Sequence, residues 1–252
     1  MYTIGMTNTI ISIDHFVMEF GSTRVIDDLT FSIKQGETFG LLGSNGSGKT
    51  TIIRALLGIY PATSGTLHLD GKAYSVSSGI KLGYLPEERG LYKKEKVIDV
   101  MTYFGSLKGM SSASARDWSM DYLQKVDLAQ KAHTQIDKLS GGQQQKVQLG
   151  VTVMNDPDIL ILDEPTKGFD PVNRRLLMQI IERHQKKGAT VVFVTHQMEE
   201  VERLCDRIIL LKDGKAAAYG SLSSVKKQYG GKSLDDIFVQ IYGGIETEAS
   251  NV

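Results

Sequence analysis

The chain has 252 residues, of which 41% are hydrophobic, enough to fill the core of one large domain or two small ones. Its 29 basic and 29 acidic residues cancel, which argues against a protein held to nucleic acid or to an anionic membrane surface by its overall charge. The single cysteine, Cys205, excludes an intramolecular disulfide, so a reducing, cytoplasmic setting is the simpler expectation.

The apolar segments are too short to cross a bilayer. Two of the most apolar runs, Ile159 to Leu162 and Val191 to Val194, fall far below the roughly 20 residues that a membrane-spanning helix needs. The stretch from Met1 to Ile11 lacks the basic start and the long apolar centre of a signal peptide. If this protein moves something across a membrane, we expect another polypeptide to supply the path.

The first third of the sequence is predicted to be rich in β-strands. Large apolar residues recur with the period of two that is typical of a strand, at Phe16, Met18 and Phe20 and again at Leu29, Phe31 and Ile33. Asp70-Gly71 is typical of a hairpin turn. Thr38 to Leu42 forms a separate apolar run, which leads into a glycine-rich loop and a short helix from about Lys49 to Leu57.

The middle of the chain, from Val97 to Met154, has helical periodicity and predicts a helical insert. After it, apolar strands at Ile159 to Asp163 and Thr190 to Thr195 alternate with helices, which indicates a parallel sheet with crossover connections. Asp213-Gly214 predicts a final hairpin, and Gly243 to Val252 are expected to form a loose tail.

For one helix between these strands, the sequence predicts both ends and the apolar rows. Asp170 is the expected N-cap, Pro171 suits the first turn, and Gly188 is the expected end. Two apolar rows are expected on this helix, one of Val172, Leu176 and Ile180 and one of Leu177 and Ile181.

Residues 43–50 follow the pattern of Gly, four residues and Gly-Lys-Thr that is typical of a phosphate-binding loop. Its glycines allow backbone N–H groups to turn inward around a phosphate, and the following helix N-terminus adds a partial positive charge. Lys49 can reach the β- and γ-oxygens of a nucleotide, and Thr50 would hold magnesium. The alternative is a glycine-rich turn with an accidental Lys-Thr, but the apolar strand before it and the helix after it favour the phosphate loop.

Two carboxylates, Asp163 and Glu164, end the apolar strand that begins at Ile159. A strand can end at acidic residues simply because the chain returns to solvent. Beside a phosphate loop, however, Asp163 suits a water-mediated contact to magnesium, and Glu164 can polarise an attacking water. A chain that only bound nucleotide would not need Glu164.

His196 follows the strand Thr190 to Thr195, where parallel strands carry their ligands. A hydrogen bond to a γ-phosphate is the functional interpretation. The alternative is a helix-capping or surface histidine, against which the edge position argues.

The segment Leu139-Ser140-Gly141-Gly142-Gln143 predicts a helix start, because Ser140 and Gln143 make a capping box. The capping box does not explain Gly141 and Gly142, which weaken the first helical turn but allow an anion close to the backbone N–H groups. A second anion site is therefore predicted, for another anion or for a nucleotide held by another molecule.

In this order and along nearly the whole chain, these motifs resemble those of ABC (ATP-binding cassette) ATPases. The resemblance implies an α/β, P-loop NTPase fold with a RecA-like parallel sheet, an N-terminal antiparallel β-subdomain and a helical insert. It implies one domain over residues 1–242, with a core of residues 1–86 and 158–242, a helical subdomain of residues 87–157 and a flexible tail of residues 243–252.

The resemblance also implies that two such domains, identical or different, form a head-to-tail dimer in which each signature helix closes over the ATP on the other's Lys49 loop. It assigns catalysis to Lys49, Glu164 and His196 and a magnesium ion to Thr50, Asp163 and Glu87. Phe20 falls where the family stacks an aromatic ring on adenine, although a core residue would also suit that strand. The implied nucleotide-binding residues are Phe20, Gly43, Ser44, Asn45, Gly46, Ser47, Gly48, Lys49, Thr50, Thr51, Ser140, Gly141, Gly142 and Gln143.

Two segments depart from the family pattern. Glu87, within Leu85 to Tyr92, stands where the family usually has Gln, in the loop that links magnesium to the membrane partner. This variant looks like that of bacterial sodium or drug exporters. In the segment from Lys167 to Asp170, the family has a smaller residue at the first position and a Leu where Phe169 stands. The resemblance therefore defines the dimer contacts of this segment less well.

The leading hypothesis is an ATPase subunit on the cytoplasmic face of the cell membrane that drives a separate membrane permease, with export as the favoured direction. A soluble ABC ATPase in iron–sulfur assembly or nucleic-acid work is the alternative, but the neutral charge and lack of a basic arm argue against a nucleic-acid partner. A P-loop kinase is disfavoured by the signature helix and by Glu164.

Overall fold

The computed structural model describes residues 9–73, 79–88 and 90–243, whose backbone contacts form two compact units. The first unit contains residues 9–73, 79 and 190–243, and the second contains residues 80–88 and 90–189. In chain order the strands are β1 (Thr9–Phe20), β2 (Thr23–Lys34), β3 (Thr38–Gly43), β4 (Ser64–Leu69), β5 (Leu82–Leu85), β6 (Ile159–Asp163), β7 (Thr190–Val194), β8 (Arg207–Lys212) and β9 (Lys215–Ser221). The α-helices are α1 (Lys49–Leu56), α2 (Val97–Leu107), α3 (Ser112–Lys125), α4 (Gly141–Val153), α5 (Pro171–Lys186), α6 (Met198–Leu204), α7 (Leu222–Gln228) and α8 (Leu234–Tyr242).

An antiparallel sheet in the order β2-β1-β4 occupies the N-terminal part of the first unit. The period-two prediction is confirmed for β2, where the row of Leu29, Phe31 and Ile33 is buried. On β1 it is confirmed for Phe16 and Met18. Phe20 differs, because β1 ends there and its side chain is 45% exposed, so the alternative of a core residue is wrong.

Strand β3 lies between β7 and β8 and pairs in parallel with both. Every residue of β3 and β7 is buried, as expected of strands covered on both faces. Strand β9 returns antiparallel to β8 through the predicted turn at Asp213-Gly214. Since β3 and β7 run in the same direction, the loops that follow them leave from the same edge of the sheet.

The second unit contains a parallel pair, β5 with β6, and the helices α2 to α5. Helix α4 is central to it, because it contacts β5, α2, α3 and α5. This unit is larger than the helical subdomain predicted at residues 87–157, since it also includes β5, β6 and α5. The predicted domain boundaries stay a prediction, and the predicted tail from 244 onward and Arg89 lie outside the described residues.

Helix α5 has the predicted ends. Asp170 accepts hydrogen bonds from the backbone N–H groups of Val172 and Asn173, both at 2.9 Å, and Gly188 has a φ of 93° just beyond the helix. The row of Leu177 and Ile181 is buried as expected. The other row is not, since Val172 is 77% exposed and Leu176 and Ile180 are half-buried. The second apolar row therefore faces no core within the described chain.

Two Asp-Gly turns share one backbone conformation in different surroundings. Gly71 has a φ of 72° and Gly214 a φ of 74°. A Cβ added to Gly71 would meet nothing within 4 Å, whereas one added to Gly214 would lie 2.3 Å from the carbonyl oxygen of Val25. Gly214 is therefore required both for its conformation and for space.

We predict that Gly214→Ala lowers the free energy of unfolding by about 3 kcal/mol, from left-handed strain together with overpacking against backbone. Gly71→Ala serves as the control and should cost only about 1 kcal/mol, from the strain alone. Urea denaturation of both variants measures the difference. Equal losses would show that the Val25 carbonyl moves away without cost.

Candidate active site

The phosphate loop leaves the carboxyl end of β3 and leads into α1, as predicted. Gly48 is the residue before the helix and has a φ of 103°. That left-handed φ is what favours glycine here, whereas the nearest atom to an added Cβ, Cδ1 of Ile26 at 2.3 Å, is the end of a flexible side chain. The helix starts at Lys49, and its first N–H groups have no partners within the helix. The loop therefore presents backbone donors and a helix N-terminus at the sheet edge.

Two side chains of this loop fit an anionic ligand. The Lys49 Nζ atom donates to the carbonyl oxygens of Gly43 at 2.7 Å and Ser44 at 2.9 Å, which holds the ammonium against its own loop. The Ser47 hydroxyl is buried and has no hydrogen-bond partner among the described residues. An unsatisfied buried hydroxyl is costly, and a phosphate oxygen would satisfy it. These residues therefore fit the triphosphate of a nucleotide.

His196 lies at the same edge of the first unit's sheet. Leu41 of β3 pairs with Val194 of β7, and His196 follows two residues after Val194. Its side chain is exposed, while the preceding Thr195 is buried and its Oγ1 atom accepts a hydrogen bond from the Gln197 N–H at 3.0 Å. The predicted edge position is confirmed; the role in catalysis stays a prediction.

Phe20 forms an exposed aromatic pair with Tyr60 in the same unit. Their ring centroids are 5.2 Å apart at an interplanar angle of 77°, and the Tyr60 hydroxyl accepts a hydrogen bond from Arg54 at 3.0 Å. The exposed ring of Phe20 can therefore stack on a planar base.

Asp163 and Glu164 are both buried at the end of β6 in the second unit. Glu164 has a φ of 47°, an unusual conformation for a non-glycine residue that is typical of functional sites. Its carbonyl oxygen accepts a hydrogen bond from the Lys167 N–H at 3.1 Å, which closes a tight turn after the strand.

Two of the residues that depart from the family pattern, Glu87 and Lys167, form an ion pair. The Lys167 Nζ atom lies 2.6 Å from a carboxylate oxygen of Glu87. The hydrogen bond and charge of Glu87 raise the pKa of Lys167, and the charges of Glu164 and Asp163 add to the effect. Lys167 therefore balances the carboxylate that replaces the family's usual amide.

The signature segment begins α4 with the predicted capping box. The Ser140 N–H donates to the Gln143 side chain at 2.9 Å, and the Gln143 N–H donates to the Ser140 hydroxyl at 3.3 Å. A Cβ added to Gly142 would meet only the ring of Phe169, at an ordinary distance of 3.9 Å. Packing within the described chain therefore gives no reason for glycine at position 142.

The sequence analysis missed a row of polar side chains on α4. Gln148 is buried and directs its amide at the carbonyl oxygens of Glu88 at 3.2 Å and Pro86 at 3.5 Å, on either side of Glu87. Gln145 donates to Pro165 at 3.1 Å, directly after Glu164, and Thr152 donates to Tyr84 at 3.1 Å. The sequence signal for this row is the polar run 143–146, which continues into α4. Because α4 packs against several elements, some of its polar side chains must be buried.

We predict that Glu87→Gln lowers the pKa of Lys167 relative to the wild type, because the amide supplies no charge. A raised lysine pKa stabilises the folded state at low pH, and this contribution is lost as pH rises through the raised pKa. The variant should therefore lose less stability than the wild type in that alkaline range.

Titration of the Lys167 side chain by NMR measures the pKa directly. Glu88→Gln is the matched control, since Glu88 is the exposed neighbour of Glu87 and does not pair with Lys167. An identical Lys167 pKa in the wild type and Glu87→Gln would refute the ion pair.

Comparisons with known proteins agree with this geometry. The family model for ABC transporters matches residues 26–167. An uncharacterized ABC transporter ATP-binding protein of Methanocaldococcus jannaschii is 45% identical over 216 residues, covering 85% of this chain and 79% of that protein. The Nod factor export ATP-binding protein I of Paraburkholderia xenovorans is 36% identical over 236 residues, covering 92% of this chain and 78% of that protein.

A solved structure, described as the ATP-binding subunit of an ABC transporter, matches with a TM-score of 0.85 at 27% identity, covering 92% of this chain and 99% of that chain. The predicted P-loop NTPase fold is therefore confirmed. No helix among residues 9–73, 79–88 and 90–243 is long and apolar enough to cross a membrane. The motifs, the fold and these similarities show that the chain belongs to the ABC transporter family, as an ATP-binding subunit and an ATPase.

Proposed function

We propose that this ATPase powers export through a separate membrane permease, and that ATP drives it to close head-to-tail with a second ATPase subunit. The observation that supports the dimer is the glycine at position 142, because packing within the described chain does not require a glycine there. A glycine in the first turn lets an anion approach the backbone N–H groups of the helix closely, which suits a phosphate brought by another subunit. Ser140, Gly141, Gly142 and Gln143 are assigned to that contact.

ATP binding is assigned to the phosphate loop. Lys49 would exchange the carbonyl oxygens of Gly43 and Ser44 for phosphate oxygens, and the buried Ser47 hydroxyl would gain an acceptor. Charge-assisted hydrogen bonds of this kind are about twice as strong as neutral ones. Phe20 is assigned to stacking on the adenine ring.

Hydrolysis is assigned to Glu164 and His196. Glu164 polarises the attacking water, and His196 hydrogen-bonds the γ-phosphate. Thr50 and Asp163 have the hard oxygen atoms that magnesium prefers, and Glu87 could contribute a third when it leaves Lys167. A bound magnesium ion would neutralise charge that develops on the phosphate oxygens.

We assign the docking of the permease to the surface next to the Glu87 loop. Tyr92 and Tyr103 are exposed large aromatic residues there, with ring centroids 5.8 Å apart, and they line a cleft of about 360 Å³ with Glu95, Asp99 and Val100. Exposed aromatic surface bordered by charge is typical of a protein interface. Export is supported by the relative named for Nod factor export, and the cytoplasmic face of the membrane is the location that this arrangement implies.

We predict that Glu164→Gln binds ATP but loses at least about 100-fold in turnover, because the water loses its general base. The variant should also accumulate as a closed dimer with ATP, detectable by size-exclusion chromatography. Lys49→Ala is the contrasting variant and should lose at least about tenfold in ATP affinity, since a charged hydrogen bond is removed. A monomeric Glu164→Gln protein in saturating ATP would contradict the proposed dimer.

We predict that the protein, expressed with its native membranes, co-purifies with an integral membrane protein. Replacing both exposed tyrosines, Tyr92→Glu and Tyr103→Glu, should reduce the recovered membrane protein at least about fivefold, because it puts charge into an apolar contact. Tyr219→Glu is unsuitable as a control because Tyr219 hydrogen-bonds Ser32. Met120→Glu, another exposed apolar residue, serves instead. Failure to recover any membrane protein would contradict the permease.

A further inference from the structure

A cleft of about 380 Å³ lies in the second unit between α3 and α5, lined by none of the residues assigned to ATP, magnesium or catalysis. Leu176 and Ile180, from the half-buried row of α5, form part of its wall. The apolar row that the sequence predicts to be covered is thus uncovered where it faces this cleft. Its volume falls within the roughly 300–1,000 Å³ typical of small-molecule sites.

The opposite wall is aromatic and held in place. Trp118 and Tyr122 of α3 are stacked with ring centroids 5.3 Å apart and an interplanar angle of 6°. Tyr122 is buried, and its hydroxyl donates to the Lys146 carbonyl oxygen at 2.8 Å. Because one end of the stack is fixed, Trp118 presents a preformed flat surface to the cleft.

The polar part of the lining has more positive than negative groups. Three cations, Lys125, Arg183 and Lys187, face two carboxylates, Asp121 and Asp156. Lys187 is bound to Asp156 at 2.7 Å, but within the described chain neither Lys125 nor Arg183 forms an ion pair. Two cations and one carboxylate, Asp121, therefore remain without an ion pair among the described residues, which leaves one excess positive charge in the lining.

A buried histidine also lines the cleft, and its side chain makes no hydrogen bond to the part of the chain that the structure describes. The side chain of His184 is only 8% exposed, and its nearest polar partner, Asp156, lies 3.6 Å away, beyond hydrogen-bond distance. Burial lowers the pKa of His184, so its ring is neutral near pH 7 and offers one donor and one acceptor. Buried polar groups in native proteins normally have a partner, and a ligand in the cleft would supply it.

We propose that this cleft binds a planar aromatic anion, such as an aromatic carboxylate or sulfonate of small-molecule size. The ring system lies along Trp118 and against Leu176 and Ile180. The anionic group pairs with Lys125 and Arg183. An aliphatic anion would leave the aromatic wall without a partner, and a neutral aromatic compound would leave the two cations unused.

The chain carries its own reporter for this proposal, because Trp118 is its single tryptophan. The probe is 8-anilinonaphthalene-1-sulfonate, an aromatic anion with a planar naphthalene ring, titrated into the full chain with saturating ADP in the nucleotide site. Binding in the cleft should quench Trp118 emission by energy transfer to the probe. Probe fluorescence that rises without quenching of Trp118 would place the probe elsewhere and overturn the proposal.

The charge requirement is tested by a double variant, Lys125→Glu with Arg183→Glu. Its affinity for the anilinonaphthalenesulfonate should fall about tenfold, while its affinity for the uncharged N-phenyl-1-naphthylamine should change less than twofold. Arg175→Glu with Lys186→Glu is the matched control, because both residues are exposed on α5 outside the cleft and the charge change is equal. Equal losses in the two double variants would overturn the proposal.

Ile180→Trp provides a second test that does not depend on charge. The larger side chain should narrow the cleft and weaken binding of both compounds at least about tenfold, with the helical circular dichroism of the chain retained. Binding is followed by the fluorescence of the compounds themselves, because this variant adds a second tryptophan. Unchanged binding in a folded Ile180→Trp protein would also overturn the site.

Discussion

Hydrogen bonds from one face of α4 hold together the chemically important segments of the second unit. Gln145, Gln148 and Thr152 reach backbone carbonyl oxygens next to Glu164, on both sides of Glu87, and at the end of β5. The same helix begins at the signature residue Ser140. Side-chain amides of this helix therefore fix the Glu87 loop and the turn after Glu164 to the same element that carries the signature residues.

Charged side chains in this unit are also paired between segments that are distant in the sequence. A carboxylate at position 87 adds negative charge to a region that already contains Asp163 and Glu164. Lys167 supplies the opposing charge at 2.6 Å from Glu87. Two of the departures from the family pattern, Glu87 and Lys167, therefore offset each other's charge in this chain. Since both side chains are largely exposed, the pair sets local charge and loop position more than stability.

Much of this structure could be predicted from local sequence. The strands β3, β6 and β7 are continuous apolar runs, the ends of α5 carry Asp170 and Gly188, and the phosphate loop has a spacing that its backbone conformation demands. Each of these signals lies within a few neighbouring residues, so no knowledge of distant contacts is needed.

What local sequence could not predict depends on residues far apart in the chain. Phe20 continues an apolar period but lies exposed, since β1 ends at that residue. The row containing Val172 has the helical period of a core face, yet no described segment covers it. The Glu87–Lys167 ion pair joins residues 80 positions apart, and Gln148 gains its role only from the loop it meets. Periodicity describes which residues share a face, whereas packing decides what that face contacts.

The partnerless Ser47 hydroxyl has a thermodynamic consequence for the protein in a cell. Leaving a buried hydroxyl unsatisfied costs about 1–3 kcal/mol, and an acceptor oxygen of a bound phosphate would remove that cost. A ligand that binds only the folded chain raises its stability by mass action, by about 2.7 kcal/mol at 100 times the dissociation constant. Nucleotide concentration would then set the lifetime of the polypeptide against unfolding and proteolysis as well as its rate of work. The subunit would be least stable against unfolding at low nucleotide concentration.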